Sequence, residues 1–161
     1  MRKEINGLTV ETRGDREIVM TRQFKAPRTL VWNCHTKPDL VKRWLAGPPG
    51  WVMDKCEVDL RVGGKYRYEW SHSSGMKMGM GGVHRQIKAP ELLQNTQLFD
   101  EDWTGGEAIG AFTLTEKDGV TTLTNAVTYS SPQALEGVLK TPMVEGVAAG
   151  YDRLDTVLAS L

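Results

Sequence analysis

The 161-residue chain is 40% hydrophobic and 25% charged, an ordinary globular composition. A chain of this length buries about two-thirds of its unfolded surface, so neither a disulfide nor a metal is needed to hold it together. Twenty Lys and Arg balance twenty Asp and Glu, and no run of like charge builds the basic stripe that phosphate neutralisation requires, which excludes nucleic acid as a partner.

Residues 8 to 13 (LTVETR) and 17 to 24 (EIVMTRQF) are rich in β-branched residues, and Gly14-Asp15 between them is turn chemistry, so the chain is expected to open with a hairpin. Beyond Pro27 the period changes. Leu30, Val31 and Cys34 recur at helical spacing, and Pro38-Asp39 starts a second short helix through Leu40, Val41, Trp44 and Leu45, which the GPPG at 47 to 50 ends. Six strands follow, at 51 to 59, 65 to 71, 78 to 88, 92 to 99, 107 to 116 and 120 to 129, separated by regularly spaced Gly, Asp and Pro turns. Connections this short join antiparallel neighbours rather than βαβ crossovers.

Ser131-Pro132 and Thr141-Pro142 each read as an N-cap followed by proline at the first helical position, the second opening a final helix over 142 to 159. Along it Val144, Val147, Tyr151, Leu154 and Leu158 form one apolar stripe, with Asp152 and Asp155 pointing elsewhere. Glu145, Asp152, Arg153 and Asp155 interrupt this helix, and no apolar stretch is long enough to span a bilayer. Neither a repeat nor a composition shift divides the chain, which reads as one domain over 1 to 161. Cys34 and Cys56 lie on different predicted elements without CxxC spacing, and no signal peptide is legible; free thiols in a reducing, cytoplasmic setting are expected.

The blocks FKAPRTLVW (24 to 32), KPDLVKRWLAGPPGW (37 to 51), CEVDLRVGGKYRYEW (56 to 70), GMGGVHRQIKAPELL (79 to 93) and MVEGVAAGYDRLDTVL (143 to 158) resemble the bacterial START-like (SRPBCC) proteins similar to the C-terminal domain of the heat-shock-protein-90 ATPase activator. The resemblance implies an α+β helix-grip fold: a curved antiparallel sheet, two short helices and a long C-terminal helix, with a small-molecule cavity between helix and sheet. It also raises contact with a chaperone ATPase. The chain departs from the family pattern at Lys37, where Asp or Asn usually caps the helix, and at His35 and His84, where the family often carries an aromatic residue.

Alternation over 65 to 71 sets Tyr66, Tyr68 and Trp70 on one face, opposite Lys65, Arg67 and Glu69, and the aromatic face is expected to point inward. In the strand 120 to 129, Asn125 is a lone amide in the row Leu123, Val127, Tyr129 and needs a neighbour, a water or a ligand as its partner. Met78, Met80, His84 and Gln86 share one face of 78 to 88, and Gly81-Gly82 leaves open a bulge that switches faces. Trp44 and Trp51, flanking the GPPG turn, read as core. Trp103, in an acidic loop, is a candidate lid at the cavity rim. The expected cavity residues are therefore Tyr66, Tyr68, Trp70, Met80, His84, Trp103, Phe112, Asn125, Val147 and Tyr151.

Catalytic motifs are absent. The histidines at 35, 72 and 84 have no metal-ligand spacing, GxSxG is missing around His72, GGK at 63 to 65 is no phosphate loop, and Glu57 and Asp59 read as surface charges. No metal, cofactor or catalytic residue is assigned. Three functions fit: a carrier or sensor of a small hydrophobic or aromatic molecule; an enzyme using His84, His35 or Tyr151 as acid or base in the same cavity; and a chaperone co-factor. Monomer and homodimer are both compatible with the sequence.

Overall fold

A computed structural model describes residues 1–161. In chain order the elements are β1 (Arg2–Ile5), β2 (Leu8–Arg13), β3 (Glu17–Phe24), α1 (Arg28–Thr36), α2 (Pro38–Trp44), β4 (Trp51–Val58), β5 (Lys65–His72), β6 (Lys77–Lys88), β7 (Leu92–Phe99), β8 (Ala108–Lys117), β9 (Val120–Thr128), α3 (Pro132–Leu139) and α4 (Met143–Ala159). The nine strands form one antiparallel sheet in the order β1-β2-β3-β9-β8-β7-β6-β5-β4. Strand β3 feeds α1 and α2, which carry the chain to the far edge, and the meander from β4 onward returns until β9 pairs with β3. The helices inserted between β3 and β4 thus set the width of the sheet. Its concave face holds α4, and the fold is the helix grip.

The principal core joins Leu8, Val10, Ile18, Met20 and Phe24 from β2 and β3 to Val144, Ala148, Tyr151, Leu154 and Leu158 of α4. A smaller cluster of Val41, Met53, Cys56 and Trp70 fastens α2 to the β4–β5 edge. Trp44 is buried as expected, but Trp51 is only half-buried, its ring 5.1 Å from His72. At the first position of an edge strand it has neighbours on one side alone. Glu57 and Asp59 are exposed, and no helix is long and apolar enough to cross a membrane.

Two local features differ from expectation, β1 and the role of Thr141, while the helix expected after Ser131-Pro132 is present as α3. The N-terminal hairpin is preceded by β1, whose Ile5 pairs with Leu8 across Asn6-Gly7, both at positive φ (49° and 81°), the geometry of a two-residue type I′ turn. The short helices number three. Ser131 caps the third, α3, its hydroxyl accepting the Ala134 N–H at 3.0 Å. Thr141 is no N-cap: its hydroxyl donates to the Val138 carbonyl at 2.6 Å and so closes α3, and α4 starts after Pro142 without a side-chain cap.

One buried hydroxyl ties together two segments 95 residues apart in the chain. Thr121, fully buried at the start of β9, donates to the Ala26 carbonyl at 2.6 Å and fixes the corner where β3 turns into α1. Thr121→Val keeps the shape and removes the donor, and is expected to cost about 1 kcal/mol, a fall of roughly 2–4 °C in thermal denaturation.

Candidate functional site

A cavity of about 400 Å³ lies between α4 and the concave face, and nineteen of its thirty lining residues are hydrophobic. Strand alternation delivers the sheet side. Tyr66, Tyr68 and Trp70 of β5 face inward, and the register Tyr68↔Met80 and Trp70↔Met78 sets two methionines beside them. This settles the facing of β6: Met78 and Met80 point into the cavity. Next to them Leu93, Asn95, Gln97 and Phe99 project from β7, Phe112 from β8, and Asn125 and Val127 from β9. Close strand approach leaves no room for a side chain at Gly82, where a Cβ would overlap the Thr96 carbonyl. From the helical side come His35, Trp44, Met143, Val147, Gly150, Tyr151 and Arg153.

Three of the aromatic walls, Tyr66, Trp70 and Trp44, have their polar tips engaged by backbone carbonyls. The Tyr66 hydroxyl donates to the Thr96 carbonyl at 2.6 Å, the Trp70 indole N–H to the Leu45 carbonyl at 2.8 Å, and the Trp44 N–H to the Cys34 carbonyl at 2.7 Å. Burial holds the Tyr66 and Tyr68 phenols well above the usual phenol range, so both stay neutral. Tyr151 stacks on Trp44 with ring centroids 5.8 Å apart and meets Phe24 edge-on at 5.7 Å. Burial pushes its phenol up to about 12, against the opposing influence of the Asn125 amide and Arg22. The amide read as solitary in the sequence therefore sits beside a tyrosine hydroxyl.

His35 is a polar feature of the helical wall, alongside Arg153. Its ring lies 4.9 Å from Trp44 and 4.7 Å from Phe112, and its Nδ1 is 2.8 Å from the Val31 carbonyl. That bond requires the proton on Nδ1 and makes Nε2 an acceptor in the neutral ring. Burial drives the imidazole down to about 4, the bond to Val31 opposing it.

Nine of the ten expected residues meet at this cavity: Tyr66, Tyr68, Trp70, Met80, Trp103, Phe112, Asn125, Val147 and Tyr151. His84 is the correction. It is 2% exposed and stacked on Tyr66 at 5.4 Å, but it forms no part of the cavity lining. Its own backbone holds it aside, bonding through N–H and C=O to Gly64 and Gly63 of the β4–β5 turn, and the β6–β7 register breaks just beyond it, between His84 and Gln86. Trp103 is 40% exposed at the rim, its ring 5.0 Å from Phe99. The residues not foreseen are Asn95 and Gln97, whose strand had not been assigned an inner face, and Arg153, whose only sequence signal was its place among acidic helix residues. No three His, Cys, Asp or Glu side chains gather to hold a metal ion.

The family model described as Activator of Hsp90 ATPase homolog 1-like protein matches residues 25–159. A solved protein from Rhodobacter sphaeroides is 30% identical, with 96% of this chain and 99% of that one aligned at a TM-score of 0.91. A protein from Mycobacterium smegmatis is 25% identical over 98% of this chain and 97% of its own, with a TM-score of 0.81. One from Arthrobacter aurescens, 22% identical over 94% and 91%, has the same fold at a TM-score of 0.82. No curated protein matches the sequence.

Proposed function

The chain belongs to the family of activator of Hsp90 ATPase homolog 1-like proteins, and we propose that it serves there as a single-domain binder of a small hydrophobic or aromatic molecule. The observation that carries this reading is the cavity itself: about 400 Å³, within the roughly 300–1,000 Å³ of small-molecule sites, with ring faces for walls and few polar points. Close-packed interiors leave few voids larger than a water molecule, so space of this size lined by aromatic side chains favours an occupant. The ATPase activation in the family's name calls for a protein-docking surface, whereas the feature found here is of small-molecule dimensions. Trp103 at the rim is read as the lid. Two buried free cysteines support a reducing, cytoplasmic setting.

The test is a neutral aromatic probe, N-phenyl-1-naphthylamine, titrated by its own fluorescence and by thermal denaturation. At about ten times its Kd, one-site binding adds about 1.4 kcal/mol, a rise of roughly 3–6 °C. Unchanged melting and unchanged emission with this probe, with its sulfonated analogue and with a set of smaller neutral aromatics sink the reading.

A further inference from the structure

Arg153 is the only charged residue that lines the cavity, and no Asp or Glu does. Its Nε donates to the Trp44 carbonyl at 3.0 Å, at the end of α2, which anchors the side chain over the cavity. The two terminal nitrogens have no carboxylate within ion-pairing distance and no hydrogen bond to protein. The nearest acid in sequence, Asp152, is committed to Arg22 at 3.2 Å. One turn earlier stands Gly150, a poor helix former in the middle of α4. Its packing does not demand glycine: a Cβ there would make only ordinary contacts, 3.9 Å from an Arg153 terminal nitrogen and 4.0 Å from the Trp44 ring. The missing side chain instead leaves the guanidinium edge and the indole open side by side.

A guanidinium fork is matched to a planar oxyanion, and a cation at an apolar wall is costly to desolvate unless the incoming group carries the opposite charge. Resting on the reading of the cavity as a binding site, we propose that its ligand is an amphipathic organic anion: an aromatic or apolar body in the cavity, and a carboxylate or sulfonate on the terminal nitrogens of Arg153. The nearby Trp44 and Tyr151 rings would cover the body next to that group. A neutral apolar ligand would leave the cation unpaired and desolvated, and a cationic one would be repelled.

Two probes with one skeleton separate the anion from the cavity. 1-Anilinonaphthalene-8-sulfonate is N-phenyl-1-naphthylamine with a sulfonate added. The unmodified protein is expected to bind the sulfonate at least about tenfold more tightly than the neutral amine, the range of a charge-assisted hydrogen bond. Arg153→Met should remove that advantage while the neutral amine binds at least as tightly as it does to the unmodified protein, because it no longer desolvates a cation, and a cooperative thermal transition shows that the variant is folded. Arg153→Lys, which keeps the charge without the fork, should fall between. Equal affinities in the unmodified protein, or a sulfonate affinity untouched by Arg153→Met, overturn the anion proposal while the cavity reading stands. If neither probe binds, the cavity reading fails and takes this proposal with it.

Discussion

Acidification from pH 7 to pH 5 is expected to lower stability by about 2 kcal/mol through His35 alone, a fall of roughly 4–8 °C in melting temperature. In the folded protein burial beside Trp44 and Phe112 holds the His35 imidazole down to about 4 from its ordinary 6.5, and the Nδ1 bond to Val31 opposes that shift without overcoming it. Above pH 6.5 both folded and unfolded chains carry a neutral ring, and the group contributes no pH dependence. As pH falls from 6.5 towards 4 the unfolded chain takes up a proton that the folded one refuses, so stability is lost across that window. His84 acts in the same direction, since burial lowers its pKa and neither ring nitrogen has a hydrogen-bond partner among protein groups. The carboxylates held below their ordinary range, Asp100 by its bond from Arg67 and Glu145 chiefly by its own backbone N–H with help from Lys3, contribute stability that acid removes only below the ordinary carboxylate range, outside the interval from pH 7 to pH 5. His35→Phe restores an aromatic ring of similar volume without a titrating group. Its melting temperature should match or exceed the parent's at pH 5 and should fall far less between pH 7 and pH 5, leaving the share due to His84. An unchanged pH slope in His35→Phe would falsify the assignment.

The strands and the short helices were legible because their signals are local. Residues 8–13, 17–24 and 92–99 coincide with β2, β3 and β7, each bounded by turn residues and the first two rich in β-branched side chains. β1 escaped because it is an edge strand with three of its four residues exposed, so no buried face imposed alternation on RKEI. Its real signature was Asn6-Gly7, a pair suited to a type I′ hairpin. Thr141-Pro142 misled for a different reason. A threonine hydroxyl between two helices can accept from the second or donate to the first, and only the three-dimensional path, which turns Thr141 back onto Val138, decides between them.

Much of the cavity followed from alternation alone, since inward-facing rings on β5 fix their neighbours on β6 by register. The face of a strand can be read in this way, but the extent of a void cannot. His84 lies on the same face of β6 as Met80, yet it is stacked on Tyr66 and does not line the cavity. Arg153 shows the converse. Among Asp152, Asp155 and Glu145 it reads as one more solvated charge, and the difference is made by partners distant in sequence: Arg22 takes Asp152, and the Trp44 carbonyl draws Arg153 over the cavity.

Val147→Trp distinguishes an open cavity from a loosely drawn core, because the two predict opposite consequences for stability. Val147 sits on the sheet-facing stripe of α4 and lines the cavity while remaining only partly buried. In a close-packed interior the added ring atoms would force neighbours off their rotamers at a cost of about 1–3 kcal/mol, or roughly 2–12 °C. Here they have about 400 Å³ to enter, and tryptophan and valine differ little in helix propensity. The melting temperature should therefore stay within about 2 °C of the parent or rise, since apolar surface is buried without overpacking. Binding should move the other way. An indole set among Tyr68, Phe112 and Tyr151 occupies the space of an aromatic guest, so both naphthalene probes should lose at least about tenfold in affinity. A marked fall in melting temperature with probe affinity retained would mean that the probes bind elsewhere and that the space beneath α4 is too tightly packed to admit them. Stability held and binding lost, from the same substitution in the same protein, requires a void that a ligand of this size can fill.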